Sequence, residues 1–474
     1  MKNRALKFVL LIGVVSFFAD FTYEGARSIN GPFLAVLGAS ATLVGFIAGL
    51  GELLGYGLRL VSGPLSERTG EFWPITIFGY IVQMSAVPLL ALAPNWQVAG
   101  LLIVLERIGK AIRNPPRDVM LSHAAKQMGY GWGFGVHEAL DQSGALFGPL
   151  VVAAVLARHG DYRAAFAALL IPAALTLTML VVARMLYPRP EDLEASVPDM
   201  HAAGLPRVFW IYLAGAALVA AGFADFTLIA FHFEKANVIP NTWVPVFYSI
   251  AMAASGMGSL LFGRLFDRTG FWILLPLTVI AAASSPLVFF GRFWLALIGS
   301  ALWGVGMGVH ESIIPAAVAA MVPQQRRPSA YGIFTAGYGI FWFIGSVIIG
   351  RLYDVSVSGL IVFSVAAQLA AIPFFLSVRR RLRAKRDGGE LRHCKGAQVS
   401  NLPNGEDGIH ASVARQQLQP QKRSVVLLLA YQVPSPSVVF NGIALHVLGS
   451  SFHNGRFTKQ QTMTHRFVDH MREN

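Results

Sequence analysis

Apolar residues run along this chain in blocks of about 20, each bounded by charges, prolines or glycines, from the N-terminus to about residue 378. A block of that length is what an α-helix needs to cross the hydrocarbon layer of a bilayer. The blocks predict helices over about 7–35, 40–62, 73–93, 97–120, 131–157 and 163–186. A second set follows over about 207–231, 241–263, 271–290, 293–321, 329–352 and 358–378. Between the sets, residues 188–206 are charged and Pro-containing and read as a polar linker on the cytoplasmic side. After 378 the pattern stops. Residues 379–474 hold many Gln, Ser, Pro and His, with apolar patches at 425–431 and 438–448 too short to span, and read as a disordered or locally folded basic tail. The expected fold is an all-α membrane protein of about twelve transmembrane helices, in bundles of six over 1–187 and 207–378.

Composition agrees: 54% of residues are hydrophobic, 13% are charged, and the mean hydropathy is +0.55, which excludes an ordinary soluble protein. The formal charge of +13 raises the question of nucleic acid. From Arg379 onward lie 15 of the 38 Lys and Arg but only 6 of the 25 Asp and Glu, leaving 23 against 19 for everything before. The excess therefore sits in the tail. Its first part, Arg379, Arg380, Arg381, Arg383, Lys385 and Arg386, follows the last apolar block directly and reads as an anchor at anionic head groups, so membrane lipid is the expected partner and nucleic acid is not. The short loops on the N-terminal side carry most of the remaining Lys and Arg, which places both termini in the cytoplasm and calls for an even number of spans. The start of the chain has no clear cleavage site and carries Asp20 and Glu24, so it reads as a retained first helix. The single cysteine, Cys394, allows no internal disulfide and no paired-cysteine metal or redox site.

The two sets repeat each other. Phe18-Ala19-Asp20-Phe21-Thr22 recurs as Phe223-Ala224-Asp225-Phe226-Thr227, 205 residues on. Gly63, Leu65, Glu67, Arg68, Thr69 and Gly70 recur as Gly263, Leu265, Asp267, Arg268, Thr269 and Gly270, 200 residues on. Matched spacing of two motifs points to an internal duplication and to two pseudo-symmetric bundles. In each loop, glycine permits a tight reversal, while the acid and the arginine can lock against a neighbouring helix end in one state of the molecule.

The loop pair GPLSERTG and GRLFDRTG resembles the loop signature of the major facilitator superfamily, with Glu67 where Asp is commoner. The fourth block, with Glu106, Arg107, Gly109, Lys110, Arg113 and Arg117, is similar to that family's fourth-helix motif, whose arginine is linked to proton coupling. Gly144, Gly148 and Pro149 resemble the glycine-proline motif of the fifth helix, associated with exporters, and Gly337, Gly345 and Gly350 echo it in the eleventh. Read physically, glycines four apart admit close helix contact and Pro149 provides a kink. The resemblance implies solute transport by alternating access between two bundles, coupled to protons and directed outward.

Ionisable groups inside apolar blocks mark the candidate site, because charge at that depth is expensive without a partner or a role. Asp20, Glu24 and Arg27 share one face of the first helix, and His137, Glu138 and Asp141 cluster within a turn of the fifth. Glu52, Arg107, Asp225, His310 and Glu311 complete the set. Acids and histidines in a dry cavity can exchange protons as access alternates; the competing reading is structural pairing, such as Arg27 with Glu138. Lys110, Arg113 and Arg117 lie near a helix end and read as snorkelling cations. His137 with Glu138 and His310 with Glu311 lack the third firm ligand of a metal site, so no resident metal or cofactor is expected. No nucleophile–base constellation stands out, so an enzyme is not expected. The expectation is a monomeric secondary transporter of a small molecule or ion with protons, in an inner membrane. A membrane-embedded sensor or enzyme on the same scaffold, or a uniporter or importer without proton coupling, are the alternatives.

Overall fold

The computed structural model describes residues 2–128, 130–188, 204–322 and 327–383. Twelve spanning helices follow one another, and no strand occurs among the described residues. They are α1 (Lys2–Val36), α2 (Ala41–Gly57, continued by Arg59–Thr69), α3 (Phe72–Leu89), α4 (Trp96–Met128), α5 (Tyr130–His159) and α6 (Tyr162–Ala168 with Leu170–Leu186). The second half is α7 (Arg207–Gly222 and Phe226–Lys235), α8 (Val244–Thr269), α9 (Leu274–Phe290), α10 (Phe293–Met321), α11 (Arg327–Val355) and α12 (Val357–Leu369, within a span reaching Arg383). Eleven of these are long and apolar enough to cross a membrane on composition alone. The twelfth, α4, holds Glu106, Arg107, Lys110, Arg113, Arg117 and Asp118 inside its length, and its charges are what set it apart. Outward faces are apolar: Leu92, Ile171, Met185 and Trp294 are each more than two-thirds exposed, which is stable only against lipid.

Small residues set the helix contacts. A Cβ on Gly144 or Gly148 of α5 would run into the carbonyls of Phe17 and Phe21 on α1. In the second half, 201 residues on, a Cβ on Gly345 of α11 would run into that of Ala221 on α7. The duplicated glycines thus hold equivalent crossings. At the loop after α2, Gly70 has φ +69°, and Gly270 after α8 has φ +61°, the left-handed region that glycine enters without strain.

Backbones of the two halves approach each other at the end of the bundle that holds residues 37–40. There Gly31 lies against Thr227, Gly45 against Ser346, and Gly350 against Ala41. Asp354, at the end of α11, accepts from the amides of Ala41 (3.1 Å) and Thr42 (2.8 Å), so the first turn of α2 is capped from the other half. Tyr162 donates to Glu234 at 2.5 Å. Toward the opposite end the halves touch through side chains, Gly332 and Gly339 of α11 against Leu60 and Tyr56 of α2, whereas Gly55 and Gly57 of α2 and Gly256 and Gly263 of α8 have no neighbouring atom within 4 Å of a Cβ position, among the described residues.

One element departs from expectation. The pentapeptide FADFT stays helical at 18–22, yet at 223–227 the helix stops at Gly222 and restarts at Phe226, with Asp225 as the new N-cap, its Oδ1 accepting from the Thr227 amide at 2.8 Å. Neighbours explain the break. Trp303 Nε1 donates to the freed Ala224 carbonyl at 2.8 Å, while Ser364 Oγ (2.6 Å) and Gln368 Nε2 (3.1 Å) donate to that of Gly222. Carbonyls that would otherwise be unpaired at membrane depth are satisfied from α10 and α12.

Candidate functional site

The same-face trio of α1 is divided among four neighbouring helices. Asp20 turns to α4, where Arg113 lies at 3.4 Å and Lys110 at 3.9 Å. Glu24 accepts from Tyr248 of α8 at 2.5 Å, a bond that joins the two halves. Arg27 reaches Glu52 of α2 at 3.2 Å, Asp225 of α7 at 3.3 Å and the Tyr23 hydroxyl at 3.2 Å. The Arg27–Glu138 pairing entertained from sequence does not form; Arg27 pairs instead with the acids of α2 and α7.

Glu52 is shared. Its Oε1 also takes Arg107 at 3.0 Å, and Arg107 lies 3.6 Å from Glu106 and over the Tyr23 ring. The partner that burial required for Arg107 is therefore an acid of α2. The cations further along α4 do not snorkel. Arg113 has no exposed surface: it donates to Tyr80 (2.8 Å) and Gln83 (2.5 Å) of α3 as well as reaching Asp20. Arg117 is bound to Asp118 at 2.8 Å and to Ser16 at 3.3 Å, both inside the bundle or at its rim. The reason is local: α3 offers Tyr80 and Gln83, fully buried acceptors one turn apart, and these draw Arg113 inward.

The α5 cluster is less paired. His137 is buried with Nε2 2.8 Å from Ser16 Oγ. Glu138 accepts from Gln142 at 3.0 Å, and Asp141 Oδ1 has no partner among the described residues. His310 of α10 bonds Tyr338 at 2.8 Å within rings of Phe223 and Trp342, apart from the charged centre. The side chains of Glu67, Asp267 and Glu311 lie outside the described residues, as do the linker segment 189–203 and the tail from 384. Arg68 and Arg268 are exposed, and Gly63 and Gly263 flank them one turn earlier.

Two features of this site were not read from the sequence: Tyr80 and Gln83 as buried acceptors, and Tyr23 with Tyr248 as hydroxyls on the charged groups. A signal existed for the first, a polar pair three apart inside an otherwise apolar block.

The family model described as Major Facilitator Superfamily matches residues 12–291 and again 248–452. The chain belongs to the major facilitator superfamily. An uncharacterised protein of Mycobacterium tuberculosis is 42% identical over 384 residues, covering 79% of this chain and 93% of its own. An uncharacterised MFS-type transporter of Methanocaldococcus jannaschii is 25% identical over 362 residues, 74% of this chain and 89% of its own. The multidrug resistance protein MdtH of Proteus mirabilis is 28% identical over 141 residues, 30% of this chain and 34% of its own. Among solved structures, the nucleoside transporter NupG superposes with a TM-score of 0.66 at 12% identity over 78% of this chain and 99% of its own. A bacterial homologue of the human lysosomal transporter Spinster gives 0.58 at 14% identity, over 80% and 96%. These likenesses fix the fold of this superfamily member: an integral membrane protein built as two pseudo-symmetric six-helix bundles, of a family that moves small molecules.

Proposed function

We propose that the protein is a proton-coupled exporter of a small solute in a bacterial-type inner membrane, with Asp20, Glu24, His137, Glu138 and Asp141 of α1 and α5 as the coupling groups. The observation that carries this is Asp141: its Oδ1 has no partner among the described residues, and the adjacent Glu138 has only an amide. An uncompensated carboxylate is costly at that depth, so this pair calls for a proton or a cationic cargo, whereas Asp20, Glu52 and Asp225 are already matched by arginines. The outward direction is supported by the Gly144, Gly148 and Pro149 pattern and by the name of the partial MdtH relatives. The loops at 63–70 and 263–270, with Glu67, Arg68, Asp267 and Arg268, serve as conformational locks in this reading.

In the same reading both termini are cytoplasmic, 1–187 and 207–378 are the two bundles joined by the 188–206 linker, and the chain works as a monomer with its basic tail at the lipid surface. The 37–40 end is then external, and it is held by contacts between the halves.

A thermal-shift screen across drugs, organic anions, sugars and divalent ions identifies the cargo, because stabilisation scales with ligand concentration over Kd. With that cargo in proteoliposomes, Asp141→Asn or Glu138→Gln is expected to abolish transport driven by a pH gradient and to leave cargo exchange intact. Full gradient-driven transport with an unchanged pH profile in both variants would remove these acids from coupling. Cysteines placed at Ala195 and in the tail are expected to react with an impermeant reagent only from the cytoplasmic face; reaction of the two from opposite faces would overturn the topology.

A further inference from the structure

Asp20 and Asp225 occupy the same place in the duplicated motif, and they are the two ends of one unbroken run of polar contacts. Asp225 meets Arg27 at 3.3 Å, Arg27 meets Glu52 at 3.2 Å, and the same oxygen of Glu52 meets Arg107 at 3.0 Å. Arg107 lies 3.6 Å from Glu106, whose other oxygen accepts from Gln83 Nε2 at 2.8 Å. Gln83 Oε1 accepts from Arg113 Nε at 2.5 Å, and Arg113 reaches Asp20 at 3.4 Å. The run passes through α7, α1, α2, α4 and α3 and returns through α4 to α1.

Every link in it is charged except Gln83, which is fully buried. Its orientation is forced: a guanidinium can only donate, so the amide oxygen must face Arg113 and the amide nitrogen is left to face Glu106. Gln83 thereby ties the acid of one cluster to the cation of the other. The cations and acids in the run are each shared between two or more partners. Arg113 divides its donors among Tyr80, Gln83 and Asp20, and Glu52 divides one oxygen between Arg107 and Arg27. A change of charge at Asp20 redistributes the donors of Arg113 and hence its hold on Gln83. The redistribution continues through Glu106 and Arg107 to Glu52 and so to the grip on Arg27. The last contact, Arg27 with Asp225, lies between the halves. Alternating access must loosen it when the 37–40 end opens, so it is an element with two arrangements, which a run of contacts alone is not.

We propose that Gln83 is a positioning residue that couples Asp20 to the Arg27–Asp225 contact between the halves, without itself touching cargo. The inference rests on alternating access and deepens the coupling role given to Asp20; it does not depend on the direction of transport.

The test uses the full chain with Cys394→Ser and spin labels on cysteines at Leu92 and Trp294, which are exposed at the 37–40 end of opposite halves. Double electron–electron resonance in liposomes, with neither cargo nor gradient, reads the ratio of open to closed populations of that end. Asp20→Asn and Asp225→Asn are measured singly and together. With Gln83 intact, the combined effect is expected to depart from the product of the single effects by about fivefold or more, the size of coupling between residues of one polar network. Gln83→Met removes both bonds at similar volume; Gln83→Glu keeps an acceptor for Arg113 but has no donor for Glu106. Either variant is expected to bring the departure below about twofold. A general loosening of the fold shifts the populations yet does not abolish non-additivity between two distant acids, so the cycle separates positioning from mere support. Simple multiplication of the two effects with Gln83 present, or undiminished coupling in whichever Gln83 variants fold, overturns the proposal. Because no gradient is applied, a coupled cycle alongside gradient-independent transport would sink proton coupling alone and leave the role of Gln83 standing.

Discussion

The two halves share a scaffold and differ in what fills it. In the first, α4 carries Glu106, Arg107, Lys110, Arg113, Arg117 and Asp118 through the bundle, answered by Asp20, Glu52, Tyr80 and Gln83. In the second, the corresponding helix α10 has His310 and Glu311 as its only ionisable residues, and the space is taken by rings. Phe223 stacks on Trp303 at 5.6 Å and touches His310 at 4.4 Å, and Tyr338 stacks on Phe334 at 5.8 Å. Helix crossings built on Gly144, Gly148 and Gly345 tolerate either filling, because the backbone contact is set by glycine and not by what lies beside it. A duplicated fold can therefore put its charge balance in one copy and its rigidity in the other. In the first half stability depends on pairing, in the second on volume and on a few well-placed donors.

The sharpest way to break this contrast is to remove a charge from the first half. Arg113→Met deletes a fully buried cation and strands Asp20, Tyr80 and Gln83. Its cost is expected to be about 3–5 kcal/mol, the range for breaking a buried pair from one side. Detergent melting curves and the yield of monodisperse protein measure it; a melt like that of the unaltered protein would mean that water or Lys110 fully replaces Arg113.

A smaller effect is expected in the second half. Trp303→Phe keeps a ring against Phe223 but removes the donor to the Ala224 carbonyl, with an expected loss of about 1–3 kcal/mol for an orphaned buried acceptor. If the same melting assay shows no loss, the break in α7 is held by Asp225, Ser364 and Gln368 without Trp303.

The smallest effect concerns the seam between the halves. Asp354→Ala removes the cap on α2 and is expected to favour opening of the 37–40 end by about 1 kcal/mol, roughly a fivefold shift in population. Label distances between Leu92 and Trp294 read this directly, and an unchanged distribution would show that the glycine contacts and the remaining bonds between the halves keep that end closed without the cap.

Much of the fold was legible because lipid enforces it: apolar blocks of spanning length, the 200-residue repeat and the loop glycines at 70 and 270 all follow from rules that hold residue by residue. Helix ends were less so. The sequence places the end of α4 near 120 and the start of α5 near 131, whereas α4 runs to Met128 and α5 starts at Tyr130, because hydrogen bonding carries a helix past the end of its apolar stretch. Within the site, burial demanded partners for Asp20, Arg27, Glu52, Arg107 and Asp225, and they have them. Which partner each finds depends on helices distant in sequence, so the pairing of Arg27 with Asp225 was out of reach. Arg113 was misplaced for the same reason: its position near a helix end reads as solvent-facing until Tyr80 and Gln83 are seen behind it.

The pentapeptide Phe18–Thr22 and its copy Phe223–Thr227 bear on how such proteins diverge after a gene doubles. Exchanging the two segments would alter no residue, yet one is a continuous helix and the other a joint. Whatever turned one into the other was written elsewhere, in Trp303, Ser364 and Gln368, which serve the broken copy. An alignment of the halves ranks Asp20 and Asp225 as equivalent, but their chemical environments were inherited from different neighbours. Natural variants that change the behaviour of either aspartate are thus to be sought in the helices packed around it, at positions that a search for the motif alone passes over.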